Sequence, residues 1–190
     1  MVERVSSGET SPLRRGLRRV ESAVAALSLF ASWLAGAACL VCLATVCYAV
    51  AMRYFFGRPQ SWTDEVVGWL IVVAIMFAVP EAQRRGEHIG VDALIDKLSS
   101  RWRRTLAVLG FAAVIATAAI LIHEGIETVA FTRMIGIKSL GLPDFPLWLI
   151  QAMVPAGAAL LLLVALAQLL IHIAGMEPIG LTADKLDRHE

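Results

Sequence analysis

Charge is what this sequence has least of. Only 17% of its 190 residues are Asp, Glu, Lys or Arg, against about 25% in soluble domains, and 58% are hydrophobic. Ser22 to Met52 runs without a single charge, and Val66 to Pro80 does so again. With a mean hydropathy of +0.70, that scarcity excludes an ordinary soluble domain and points to an integral membrane protein. Cysteine is also scarce: Cys39, Cys42 and Cys47 all fall inside the first uncharged run. Cys39-x-x-Cys42 has the spacing of a redox or metal pair, but thiols in hydrocarbon stay protonated and pack as small apolar groups. The chain has no phosphate-cradling glycine loop and no nucleophile set beside a base, so neither an enzyme nor a cofactor is expected. A net charge of +1 offers nothing to nucleic acid.

What is present is a set of four apolar stretches, giving an all-α integral membrane protein with spans at about 24–53, 62–84, 105–130 and 146–174. A basic arm, 1–21, precedes the membrane domain at 22–175, and a polar tail, 176–190, follows it. Ala35-Gly36-Ala37 resembles a signal cleavage site, but the apolar run continues well past it, which favours an uncleaved anchor. Ser28, Ser32 and Gly36 recur every four residues, a small-residue stripe suited to close helix approach. The second apolar run is too short to cross the bilayer and must borrow from its flanks, starting near Ser61. That start draws Asp64 and Glu65 to the outer membrane edge, where Arg53 is the nearest cation. The hairpin Arg53, Tyr54, Trp62, Asp64 and Glu65 is therefore expected to close on an Arg53–Glu65 pair.

Further along, Val91, Leu94, Ile95, Leu98 and Trp102 share one face of a helix over about 91–103, read as an amphipathic helix in the cytoplasmic interface with membrane lipid, or else packed on a partner. The third span's helical pattern continues through Glu124 and Glu127 toward Arg133, past the outer surface. Gly136 to Pro146 is a loop, and Pro155 is expected to kink the fourth helix by freeing the Gln151 carbonyl. Of the 17 Lys and Arg residues, five lie in the N-terminal arm, six in 81–104 and two in the tail, leaving four on the opposite side. By the positive-inside rule both termini are cytoplasmic and the hairpin faces outward. This puts His123 and His172 at opposite faces, which disfavours a haem-bearing electron carrier, and His123 with Glu127 is too few ligands for zinc. With no charge at mid-membrane, only Thr117, Gln151 and Gln168 are polar near there. The residues favour a scaffold or accessory subunit over an autonomous homo-oligomeric transporter or channel, the alternative reading.

Four pieces of sequence resemble the small membrane subunit (Q-type, DctQ-like) of tripartite ATP-independent periplasmic transporters. They are Arg53-Tyr54-Phe55-Phe56 with Trp62 and Asp64-Glu65; Arg84-Arg85-Gly86-Glu87-His88-Ile89 leading through Val91-Asp92 to the helix bearing Trp102; Pro143 with Trp148 and Gln151; and Pro155-x-Gly157. The resemblance covers about residues 20–175. It implies a bacterial inner-membrane scaffold, working with a large membrane subunit that carries the substrate and sodium sites. It also implies a periplasmic binding protein that delivers an organic acid such as a dicarboxylate, keto acid or sialic acid. The outer loop, with Arg58, Lys138 and Asp144, is then expected to lie near that docked binding protein.

Overall fold

The computed structural model describes residues 12–85, 100–142 and 144–173. Among these, no strand forms, and the chain makes three long helices, one short helix and a final apolar helix. They are α1 (Pro12–Phe56), α2 (Ser61–Arg85), α3 (Ser100–Ile135), α4 (Trp148–Gln151) and α5 (Met153–Ile173). Four helical segments are long and apolar enough to cross a membrane, α4 and α5 together forming the last. The expected amphipathic helix falls mostly on residues outside those described. Its final residues, including Trp102, belong to the first turn of α3, which continues without a break into the third span.

Two helices end as their glycines dictate. Gly57 (φ 64°) and Gly136 (φ 71°) adopt the left-handed conformation that only a residue lacking Cβ takes without strain, closing α1 and α3. The last span breaks where the proline requires it. Pro155 has no N–H for the Gln151 carbonyl, and the helix is interrupted at Ala152 between α4 and α5. Pro80 lies inside α2 and frees the carbonyl of Met76 in the same way.

The most enclosed helix is α5. In its most apolar stretch 44% of residues are buried within the bundle, against 11% for each other span. Helices α2 and α3 pack on it, α1 packs chiefly on α2, and α1 also reaches α5. Small residues set the seams. On α1 the buried positions are Glu21, Ser28, Ala31, Ala35 and Ala38; the expected Ser28–Ser32–Gly36 stripe is off by a fraction of a turn, and Gly36 is exposed. On α3 the buried positions Ala118, Gly125 and Thr132 recur every seven residues, with the Pro155 ring seated against Gly125. The tightest contact joins α2 to α5: a Cβ added to Gly157 would stand 2.6 Å from the Met76 carbonyl oxygen that Pro80 has freed. The carbonyl without a helical partner is thus the one against which a glycine packs, an approach suited to a Cα–H···O contact.

Candidate functional site

Two polar clusters tie the helices together, one at each end of α2. Glu81 is buried at 3% exposure. Its Oε2 accepts hydrogen bonds from Ser28 Oγ of α1 (2.6 Å) and Arg84 Nε (2.8 Å), and its Oε1 from Arg84 Nη2 (2.6 Å) and Arg85 Nε (2.9 Å). One turn of α2 therefore supplies the carboxylate and both its counter-charges, and α1 supplies a hydroxyl. Beside it, Gln83 Nε2 donates to Gln168 Oε1 (3.2 Å), while Gln168 Nε2 donates to the carbonyls of Gln83 and Arg84 (both 3.1 Å). A side chain of α5 thereby caps the last turn of α2, satisfying carbonyls that a helix end leaves open.

At the other end, Glu65 Oε2 accepts hydrogen bonds from Ser139 Oγ (2.7 Å) and the Gly141 amide (2.8 Å), and Ser139 Oγ accepts the Leu142 amide (2.9 Å). Gly141 lies against the Trp62 backbone, where a Cβ would meet Trp62 Cα at 2.7 Å. Trp69 stacks on Phe145 with ring centroids 5.0 Å apart, and the Arg133 guanidinium sits 5.5 Å over the Trp148 ring. The loop after α3 is thus held down onto the first two turns of α2. The clusters stand about 30 Å apart, since Trp62 to Glu81 on α2 and Ser28 to Tyr48 on α1 are each close to 20 residues at about 1.5 Å rise. That matches the thickness of bilayer hydrocarbon.

The residues singled out from sequence divide. Glu65 is a structural anchor, but not with Arg53: among the described residues no ion pair joins them, and Arg53 is exposed. Glu65 stands in the first turns of α2, where the loop following α3 supplies its donors. Tyr54 and Asp64 are exposed; Trp62 is half-buried, beside Tyr48 and donating Nε1–H to Gln60 Oε1 at 3.2 Å. Arg84 belongs to the Glu81 cluster. Gly86, His88 and Asp92 lie outside the described residues. Trp148 holds Arg133, Pro155 meets Gly125, and Gln151 has a buried Oε1 without a hydrogen-bond partner. Arg58 is exposed and uses its amide on the Met52 carbonyl (3.1 Å), whereas Lys138 pairs with Asp144 across the loop. His123 lies twelve residues before the end of α3.

The sequence alone does not single out Glu81, Gln83, Ser139, Gly125 or Gly141, and it marks Gly157 only through the Pro155-x-Gly157 resemblance. The spacing of Glu81 to Arg84 and Arg85 was the available signal, since i,i+3 and i,i+4 place them on one face. For Ser139 there was none, because its partner lies 74 residues away. From the swap of partners at Glu65, Arg53→Ala is expected to leave the thermal midpoint in detergent unchanged, while Ser139→Ala costs about 1 kcal/mol. A larger loss for Arg53→Ala would restore the original pairing.

No cluster here brings a nucleophile to a base, and among the described residues no three His, Cys, Asp or Glu side chains gather as a metal site. The polar groups of these two clusters hold helices to one another, and many large apolar groups face out: Trp33, Leu40, Phe55 and Ile120 are all more than half exposed. That defines a multi-pass helical membrane protein. Within that class, the family model for the DctQ component of tripartite ATP-independent periplasmic (TRAP) transporters matches residues 42–175, and the chain belongs to that family of transporter subunits. One relative is the C4-dicarboxylate TRAP transporter small permease protein DctQ of Rhodobacter capsulatus, 29% identical over 105 residues. The match takes in 55% of this chain and 46% of that protein, so the chain spans about half the length of this relative. No solved structure matches it.

Proposed function

We propose that the chain is the small scaffold subunit of a TRAP-type secondary transporter in the bacterial inner membrane. With a large membrane subunit and a periplasmic binding protein it imports an organic acid, of the C4-dicarboxylate, keto acid or sialic acid class, driven by a sodium gradient. Both termini and the segment around 91–103 are cytoplasmic, the part of it before α3 lying along the membrane as an interfacial arm. The hairpin and the outer loop, with Arg58, Lys138 and Asp144, face the binding protein. The family match carries this reading, together with a bundle whose polar clusters fasten its own helices and leave a broad apolar exterior to be covered.

The test is reconstitution. The chain, co-expressed with a candidate large subunit and its binding protein, is expected to support uptake of labelled C4-dicarboxylate, keto acid or sialic acid into liposomes only under an inward sodium gradient. The chain alone is expected to give no flux. Substrate flux from the purified chain by itself would instead establish the autonomous homo-oligomeric transporter.

A further inference from the structure

One face of α3 carries charges that neither polar cluster uses. Opposite the Ala118–Gly125–Thr132 seam stand Ile120, His123, Glu124, Glu127 and Phe131, at i, i+3, i+4, i+7 and i+11. All five are exposed, the three ionisable side chains at 67–70%. Both His123 ring nitrogens lie 3.7 Å from a carboxylate, Nδ1 from Glu124 and Nε2 from Glu127, beyond hydrogen-bond distance. Among the described residues no ion pair within 4 Å joins these three to any other group.

Their depth follows from two close contacts. Gly125 is level with Pro155, and Gly157 is level with Met76 of α2, which runs in the same direction as α5. Pro155 is therefore level with about Ala74. Counting along α2 and α3 at about 1.5 Å per residue, Glu127 stands about 14 Å from the level of Glu81 and about 15 Å from the level of Trp62. His123 and Glu124 are one turn nearer the Glu81 end. The acids thus lie midway between the two polar clusters, at the same height as the uncharged middle of α2. An ionised carboxylate facing acyl chains at that depth costs about 2.5–3.5 kcal/mol, and two stand here on one face.

We infer that this face of α3 docks on a second membrane-embedded polypeptide that presents an Arg or Lys side chain at mid-depth, set among apolar groups that meet Ile120 and Phe131. Charge complementarity selects the partner: the acids need a cation, and the face lies too deep for water to serve. A second copy of this chain fits badly, because a two-fold interface would set these acids against themselves. Among the described cations, the one on this half of α3, Arg133, is held over Trp148. The inference rests on the reading that the chain works beside a larger membrane subunit, and adds which surface meets it and by what chemistry.

The experiment uses the full chain, tagged and co-expressed with the large membrane subunit. Glu124→Lys with Glu127→Lys is expected to lower the co-purified large subunit about tenfold, and Glu124→Gln with Glu127→Gln about threefold. Asp64→Lys, on the exposed hairpin, is expected to leave it unchanged. Membrane insertion of each variant is read separately from a fluorescent fusion, so a chain that fails to fold is not counted. In a background with Cys39, Cys42 and Cys47 replaced by Ala, a membrane-impermeant maleimide is expected to label Leu140→Cys but not Glu127→Cys in the assembled complex. Equal labelling of the two, as a strongly tilted bundle with this face in water would give, overturns the inference. So does charge reversal that leaves co-purification intact, or a disulfide between two copies at Glu127→Cys. If the wild-type chain retains no large subunit at all, the subunit reading fails and this inference falls with it; if wild type and reversal variant retain it equally, only this inference fails.

Discussion

Glu81→Ala is expected to cost the isolated chain about 3–5 kcal/mol of stability in detergent, the largest effect of any single polar substitution described above. The reason is asymmetry. In the native chain the buried carboxylate accepts from Ser28, Arg84 and Arg85, so its charge is matched within one turn of its own helix. Deleting it takes from Arg84, itself mostly covered, the carboxylate that binds its guanidinium, leaving the Glu21 charge of α1 as its remaining counter-charge, and removes the Ser28 hydrogen bond that joins α1 to α2. Glu81→Gln keeps the shape and can still meet Ser28, so it is expected to lose about half as much. Ser28→Ala removes a single bond and is expected to lose about 1 kcal/mol. Arg85 is about half exposed, and Arg85→Ala falls in the range of solvent-screened pairs, below about 1 kcal/mol. The measurement is reversible unfolding in mixed micelles followed by circular dichroism. A Glu81→Ala loss no greater than that of Arg85→Ala would remove Glu81 from the centre of the cluster.

The second large effect concerns Gly157. A methyl there would stand 2.6 Å from the Met76 carbonyl oxygen and 2.7 Å from Met76 Cβ, so α2 and α5 must move apart to admit it. The obstacle is backbone, which cannot rotate aside. Gly157→Ala is expected to cost about 1–3 kcal/mol, and Gly157→Leu to prevent the α2–α5 contact from forming. Gly68 provides the control: it sits in the same α2 with open space where its Cβ would be, so Gly68→Ala is expected to be neutral or to stabilise by up to about 1 kcal/mol. Thermal midpoints of the two variants should move in opposite directions. Equal midpoints would show that the helices pack more loosely than the close approach at Gly157 implies.

Much of this architecture is written in local chemistry. The uncharged runs point to the four spans because a bilayer accepts little else, although the third spanning segment extends past its run, through Glu124 and Glu127 to Ile135. Pro155 breaks the last one by removing a donor, an effect that needs no knowledge of neighbours. The proline in α2 was equally visible, but its consequence lay on another helix: only the packed structure shows that the carbonyl it frees is where Gly157 lands. Glu65 illustrates the same divide. Its place at the start of the second span follows from span length, a local quantity, while the choice between Arg53 and Ser139 depends on where a loop 74 residues later comes to rest. The small-residue stripe on α1 was read with the wrong repeat for a related reason. Four-residue spacing drifts around the helix, whereas the real seam, Ser28–Ala31–Ala35–Ala38, alternates three and four and stays on one face.

The capping of α2 by Gln168 also fixes an order of events during synthesis. Ser28 and Glu81 can meet as soon as the first two helices are in the bilayer, so that hairpin closes its own buried bond. The carbonyls of Gln83 and Arg84 must wait for a residue made some 84 positions later, and Glu65 must wait for Ser139 and Gly141. Until the ribosome has delivered the final helix, α2 stands beside α1 with its Gln83–Arg84 end unfinished. The last span to leave the ribosome is the one that completes the second.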